Sequence, residues 1–239
     1  MSGALLPVAI LAGGLATRLL PATEWLPKAL VDVAGEPFIL HQLRLLRNQG
    51  AQRVVLCAGH LGEMIEAEIE RHGDLGLDVA FSFDGPRLLG TAGALKKAAP
   101  LLGDAFFVLY GDSYLVCSFH SAQDAFLASG KLALMTVFRN EGRWDCSNVE
   151  FKDNQIVTYD KLISTPRMKH IDYGLGLLRR SALNVVGCDE PLDLVRLYQS
   201  LLAQGELAGH EVQERFYEIG SADGLRETHN FLTARASSA

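Results

Sequence analysis

The 239-residue chain is short of several things, and each shortage excludes a class of protein. It has no run of about 18 apolar residues, so no membrane-spanning helix is expected. Its first residues carry no basic segment ahead of an apolar one, so no signal peptide is expected either. Only four cysteines are present, Cys57, Cys117, Cys146 and Cys188, and none forms a C-x-x-C pair. That usage fits free thiols in a reducing cytosol and argues against zinc. The seven histidines show no ligand spacing such as H-E-x-x-H. Net positive charge is absent too. At −6 the chain gives neither nucleic acid nor an anionic membrane a reason to bind. No repeat with a period of about 20–50 residues is found. What is present is an ordinary globular composition, 49% hydrophobic and 21% charged. The length suffices for one good core and one or two domains.

The most informative stretch is Leu11-Ala12-Gly13-Gly14-Leu15-Ala16-Thr17-Arg18, with Pro27-Lys28 behind it. An apolar run, residues 5–11, leads into the paired glycines and reads as a strand delivering a loop. Without Cβ atoms, Gly13 and Gly14 let backbone N–H groups approach phosphate oxygens closely. Arg18 adds a planar fork of donors and a permanent charge, and Lys28 adds a point charge on a long stem. A lone Gly-Gly is more often a turn, but here a hydroxyl, a guanidinium and an ammonium follow within one loop. No Gly-Lys-Ser/Thr closes it, so it is not a Walker A loop. No G-x-G-x-x-G occurs there, which argues against a dinucleotide-dependent dehydrogenase.

Hydrophobic periodicity then predicts helices over 37–48 and 61–72, and strands over 53–57 and 78–83. The β-α-β-α-β order implies parallel strands whose carboxyl ends carry the ligand site, where Gly13 and Gly59 lie. The small-residue stretch Leu89-Gly90-Thr91-Ala92-Gly93 opens a helix expected to run to about residue 99. It reads either as a place for a flat base and an anion or as a plain helix start capped by Thr91. Strand 106–110 is followed by Gly111-Asp112-Ser113, a placement suited to a magnesium carboxylate or to a simple turn. A helix over 118–129 and a strand over 131–139 follow. Then a hairpin around Asp153-Asn154 and a strand over 171–178 read as an antiparallel insertion. A helix over 192–203, short strands over 207–212 and 215–218, and a last helix over 222–235 with Ser221 as N-cap complete the chain. Trp144 reads as packing.

The segment LAGGLATRLLPATEWLPKALVDVAGEPF resembles the signature of the sugar-1-phosphate nucleotidyltransferases, L-A-G-G-x-G-T-R-x-x-P-x-T-x-x-x-P-K, with Ala16 in place of a glycine. The resemblance extends over roughly residues 8–232. It implies a three-layer α/β/α sandwich of Rossmann-like type, with a mixed central sheet and a small antiparallel β insertion. The whole chain would be one domain, with 1–140 handling the nucleotide and 141–239 the sugar phosphate. The family's metal aspartate falls on Asp112. Its second metal carboxylate, usually an aspartate, falls on Glu218, so Mg²⁺ is the implied cofactor. The sugar-phosphate lysine falls on Lys161 in Tyr159-Asp160-Lys161, and Asp160 beside it would also bind the sugar phosphate. The sugar-pocket segments fall on Ser147-Asn148 and on Asp172-Tyr173-Gly174. Leu11, Ala12, Gly13, Gly14, Thr17, Arg18, Lys28, Gly59, Gly90, Thr91, Ala92, Gly111 and Asp112 would bind the nucleotide. Arg18, Lys28, Asp112 and Lys161 would be catalytic. The hexapeptide-repeat β-helix of some relatives is missing, so no attached acyltransferase is expected.

The implied reaction joins an NTP and a sugar 1-phosphate into an NDP-sugar, with loss of pyrophosphate, in the cytoplasm. The segments GDSYL, NEGRWDCSNVEF, HIDYGLG and RFYEIGS are most similar to bacterial D-glycero-α-D-manno-heptose 1-phosphate guanylyltransferases, which serve surface polysaccharide synthesis. Mannose 1-phosphate guanylyl transfer and N-acetylmuramate or hexose 1-phosphate uridylyl transfer are the same-class alternatives. A non-catalytic nucleotide-binding subunit is the alternative of another class. The expected partners are the two substrates and a second copy of the chain in a homodimer.

Overall fold

The computed structural model describes residues 4–14, 26–73, 75–185 and 191–236; Leu15, Ala16, Thr17, Arg18 and Cys188 lie outside them. The first half runs β1 (Val8–Leu11), a 3₁₀ turn (Lys28–Leu30), the short hairpin strands β2 (Asp32–Val33) and β3 (Glu36–Pro37), α1 (Phe38–Asn48), β4 (Arg53–Ala58), α2 (Gly62–His72) and β5 (Asp78–Phe83). Next come α3 (Gly90–Leu102), β6 (Ala105–Tyr110), β7 (Ser113–Leu115), α4 (Phe119–Ser129) and β8 (Ala133–Phe138). The remainder is β9 (Val149–Lys152), β10 (Gln155–Tyr159), β11 (Ile171–Arg179), a 3₁₀ turn (Arg180–Val185), α5 (Leu194–Ala203), β12 (Leu207–Val212), β13 (Phe216–Glu218) and α6 (Ala222–Ala236).

Seven strands form the central sheet in the order β12-β8-β11-β6-β1-β4-β5. β6, β1, β4 and β5 are parallel, β8 and β12 pair in parallel, and β11 runs antiparallel between β6 and β8. Period-two alternation gives each strand two apolar faces. Val8, Ile10, Val54, Leu56, Phe107 and Leu109 pack with residues of α1, α2 and α4. Ala9, Val55, Cys57, Phe106 and Val108 pack with α3 and α5 on the other side. The α/β/α sandwich with a mixed central sheet is therefore as expected.

Four details differ from the sequence reading. β1 starts at Val8 rather than residue 5, because Pro7 has no N–H to enter the ladder; its carbonyl accepts from Phe107. Pro100 does not end α3 at residue 99, since it falls in the last turn, where one lost hydrogen bond is tolerated. The strand expected at 171–178 is not part of the insertion. It is buried almost throughout and completes the central sheet, so the insertion is only the β9–β10 hairpin. The short β7 strand after Asp112, which pairs with β13, went unread. The hairpin turn is as read: Asp153 and Asn154 both take positive φ, 50° and 59°, as a type I′ turn requires. Cys57, Cys117 and Cys146 are free thiols.

The sheet leaves no spare room at Gly176 on β11, where an added Cβ would lie 2.1 Å from the Tyr198 hydroxyl of α5. Gly176→Ala should cost about 1–3 kcal/mol in urea unfolding. Adding Tyr198→Phe should recover part of that loss, because the next ring atom is 3.3 Å away.

Candidate active site

Three loops leave the carboxyl ends of adjacent strands and touch backbone to backbone. An added Cβ on Gly59, after β4, would lie 2.8 Å from the Gly13 carbonyl oxygen. One on Gly13, after β1, would lie 3.0 Å from the Gly59 nitrogen. One on Gly111, after β6, would lie 2.7 Å from the Leu11 carbonyl oxygen, which accepts the Gly111 N–H at 3.0 Å. The glycines thus let three loop backbones close into one rim. Leu11, Ala12, Gly13, Gly14 and Gly111 line a cleft of about 290 Å³ above that rim, together with Lys28, Cys57, Asp84, Leu88, Gly90, Thr91, Tyr110 and Asp112. Gly59 touches Gly13 in the rim but does not line the cleft.

A second, more polar cavity of about 530 Å³ is lined by Asn148, Lys161, Asp172, Gly174, Trp144 and Glu218. Lys28, Tyr110 and Asp112 line both cavities. At that junction the Lys28 Nζ lies 2.7 Å from Asp112 Oδ2. Glu218 arrives by strand pairing: β13 runs antiparallel to β7 and sets Glu218 opposite Ser113, and the Ile219 N–H donates to the Asp112 carbonyl. Ser221 Oγ donates to Glu218 Oε1 at 2.6 Å, while accepting the Gly224 N–H as the N-cap of α6. Glu218 Oε2, Lys28 Nζ and Asp112 Oδ2 all lie within 3.5 Å of the point where Gly220 would carry a Cβ. Only glycine leaves that space open.

Gln42 of α1 fixes the Asp112 loop from behind. Its side chain is fully buried, and its Nε2 donates to the Tyr110 carbonyl at 3.0 Å and the Ser113 carbonyl at 2.7 Å, on either side of Gly111-Asp112. The sequence reading missed it, although a glutamine on the apolar face of FILHQLRLL was a signal that it bonds something buried.

In the second cavity Lys161 Nζ lies 3.3 Å from Asp172 Oδ2 and 5.0 Å from the Tyr110 ring centre. The Asp172 carboxylate, 3% exposed, also accepts from the Tyr159 hydroxyl at 3.0 Å and the Gly174 N–H at 3.1 Å. A register shift in β11 with Gly174 at φ 95° aims this segment into the cavity. Asn148 Oδ1 holds the Asp172 N–H. Burial and the facing carboxylates of Asp172, Asp193 and Asp112 push the Tyr110 hydroxyl well above its usual range, so it stays a neutral wall.

Other expected site residues are placed elsewhere. Ala92 is fully buried, and its N–H donates to the Leu192 carbonyl, as does that of Gly93. The chain itself therefore takes up the Ala92 and Gly93 N–H groups in the first turn of α3. Thr91 does not cap α3; its hydroxyl accepts the Leu194 N–H at 2.6 Å and donates to Asp193. Ser147 turns away and accepts from the Gly142 N–H. Asp160 accepts from the Ile163 and Leu162 amides, which hold its carboxyl below the usual range. It shapes the loop carrying Lys161 rather than lining the cavity. Trp144 packs on Phe138 and Phe216 as expected and also forms part of the cavity wall. Thr17 and Arg18 lie outside the described residues.

The nucleotidyl transferase family model matches residues 8–147. The chain belongs to this family. Among curated members, the mannose-1-phosphate guanylyltransferase catalytic subunit beta of Xenopus tropicalis is 29% identical over 220 residues, covering 88% of this chain and 60% of that protein. The chain thus spans about 60% of that relative's length. In fold, the family member is similar to a putative glucose-1-phosphate thymidylyltransferase from Bacillus anthracis in complex with a sucrose (TM-score 0.82, 18% identity, 95% of each chain). It is also similar to HddC from Yersinia pseudotuberculosis complexed with GMP-PN (TM-score 0.79, 21% identity, 95% of this chain and 100% of that one).

Replacing Gln42 with methionine removes two buried hydrogen bonds and leaves two carbonyls unpaired, at about 1–3 kcal/mol each. Gln123→Met breaks a comparable pair, to Ala4 and Leu6, at the other end of β1. Both variants should lose similar stability in thermal unfolding, and only Gln42→Met should also lower turnover, by about tenfold or more.

Proposed function

We propose that the chain transfers a nucleoside monophosphate from an NTP, with GTP favoured, to a sugar 1-phosphate, releasing pyrophosphate. The observation that carries this reading is the pair of cavities joined at Lys28, Tyr110 and Asp112. A glycine-rimmed cleft suits the nucleotide, and the polar cavity with Lys161 suits a phosphorylated sugar. The two phosphates then meet where Lys28 and Asp112 stand. Residues 1–140 serve the nucleotide and 141–239 mainly the sugar phosphate. Among sugars, the motif resemblance favours D-glycero-α-D-manno-heptose 1-phosphate. The name of the Xenopus relative supports mannose 1-phosphate as the second reading, and supports guanine in either case.

The reaction is an in-line displacement. A sugar-phosphate oxygen attacks the α-phosphorus, that bond forms, and the bond to the bridging oxygen of pyrophosphate breaks. The nucleophile is already anionic, so no side chain need act as base. The protein must instead hold two mutually repelling anions in register. Lys161 anchors the sugar phosphate, with the buried Asp172 carboxylate fixing where its ammonium sits. Lys28 exchanges Asp112 for phosphate oxygens near the reacting centre, and Arg18 holds the β- and γ-phosphates.

Asp112 and Glu218 would hold Mg²⁺. Two converging carboxylates are a donor set that suits a hard cation, which takes one or two carboxylates and completes its shell with water and phosphate. Among the described residues no group of three or more His, Cys, Asp or Glu side chains is placed to hold an ion. When bound, the ion neutralises phosphate charge.

Pyrophosphate release with Mg²⁺ tests the reading, run across GTP, UTP, dTTP, CTP and ATP with heptose, mannose, glucose and N-acetylmuramate 1-phosphates. Release with GTP and one sugar phosphate is expected. Nucleotide binding without release from any pair would favour a non-catalytic nucleotide-binding subunit. Asp112→Ala should lower kcat by at least about 10²–10³ with the fold intact by circular dichroism. Lys161→Ala should raise KM for the sugar phosphate far more than for the NTP; unchanged dependence on both would remove Lys161 from this role.

A further inference from the structure

A stack of a guanidinium and aromatic rings runs behind the second cavity. The Arg215 guanidinium carbon lies 4.4 Å from the Trp144 ring centre and 4.6 Å from the Tyr217 ring centre. The Tyr217 ring in turn stacks on Phe231 of α6, with centres 3.9 Å apart and planes 19° from parallel. Arg215 Nη2 donates to Glu227 Oε2 of α6 at 2.5 Å, and its Nε donates to the Phe216 carbonyl at 3.2 Å. Arg215 therefore ties Trp144 to β13 and to the last helix. It lines a small cavity of about 170 Å³ with Arg143, Glu218 and Glu227, and it does not line the second cavity. Trp144 belongs to both walls. Contact between Arg215 and a ligand in the second cavity thus runs through the Trp144 ring.

The backbone around Trp144 is held independently of its ring. The fully buried Asn140 accepts the Trp144 N–H at 3.4 Å and donates to the Asp145 carbonyl, which pins the main chain at and just past the tryptophan. Its sequence neighbours Arg143 and Asp145 are exposed, so they do not wedge the indole in place. Phe138 and Phe216 meet the ring at 43° and 77°, with centres 5.6 and 6.5 Å away, contacts that leave its tilt adjustable. A cation over an indole is the strongest cation–π combination. A planar guanidinium can stack on a ring while its N–H groups bridge to a carboxylate and a carbonyl; a lysine ammonium is a compact point charge that cannot do both. The consequence falls on the ligand. A sugar offers hydroxyl edges and apolar C–H faces. An aromatic wall held at one angle fixes how such a ring lies, and with it which hydroxyls turn toward Asn148 and Asp172 in the same cavity.

We propose that Arg215 is a positioning residue for the sugar: clamped to α6 through Glu227, it holds the Trp144 indole at the angle against which the sugar ring packs. The inference rests on the reading of the second cavity as the sugar-phosphate site. Arg215→Lys keeps the positive charge and removes the flat stack. In the whole protein it should raise the KM for the sugar phosphate, and the calorimetric Kd for heptose or mannose 1-phosphate, by about tenfold. The KM for the NTP should move by less than about twofold. Trp144→Leu should weaken sugar-phosphate binding by a comparable factor. Arg215→Lys added to Trp144→Leu should then have no further effect, because Arg215 acts through the ring. The chain has two tryptophans, Trp25 and Trp144, so in a Trp25→Phe background acrylamide quenching of fluorescence reports Trp144 alone. Arg215→Lys should make that quenching stronger before any substrate is added. Equal losses for sugar phosphate and NTP, additive losses in the double variant, or unchanged quenching in Arg215→Lys would overturn the proposal. Turnover by Arg215→Lys at an unaltered sugar-phosphate KM would overturn it and leave nucleotidyl transfer standing. Stronger Trp144 quenching and weaker sugar-phosphate binding in Arg215→Lys, with no pyrophosphate release from any pair by the unaltered protein, would support it and overturn the transfer reading.

Discussion

The contact between Lys28 and Asp112, 2.7 Å apart, sits where two cavities meet, and the rest of the site depends on it. A carboxylate facing a phosphate-binding cleft is unfavourable unless a cation accompanies it. Lys28 supplies that cation in this state. It comes from a 3₁₀ turn that follows the opening loop, whereas Asp112 comes from the end of a central strand some 80 residues later. The pair therefore forms only where β1 and β6, neighbours in the parallel core, are in register. That is why so much backbone packing converges there.

The convergence is built from small residues and buried amides. Gly13, Gly59 and Gly111 let three loops touch, and any side chain on them would push the rim apart. Gln42 clamps the carbonyls on both sides of Asp112, and the β7–β13 pairing delivers Glu218 to the same place. Gly220 then leaves empty the point around which Lys28, Asp112 and Glu218 stand. In the second cavity the buried Asp172 plays the part for Lys161 that Asp112 plays for Lys28: a fixed acceptor that sets where a flexible ammonium rests. The three groups its carboxylate contacts, the Tyr159 hydroxyl, the Lys161 ammonium and the Gly174 N–H, come from β10, β11 and the loop between them.

Much of this was legible in the sequence because it rests on local rules. Apolar runs of four to six residues at parallel-strand spacing gave the core, and Asp153-Asn154 gave a type I′ hairpin turn. The positions of Gly13, Lys28 and Asp112 followed from strand ends and a long motif. Non-local features were not legible. β11 reads as one more antiparallel strand, and only pairing places it inside the main sheet. Thr91 looks like a cap for its own helix, yet it serves α5, some hundred residues away. Asp160 stands beside Lys161 in sequence but spends its carboxylate on its own loop amides.

The central claim is that two substrates meet at this junction and exchange a nucleotidyl group directly, with no side chain acting as an intermediate carrier. The stereochemistry at the α-phosphorus tests that claim most directly. With an α-thio analogue of the triphosphate that supports turnover, a single in-line displacement predicts inversion of configuration in the NDP-sugar product. Retention would require two displacements and a nucleotidylated side chain, and would contradict the account.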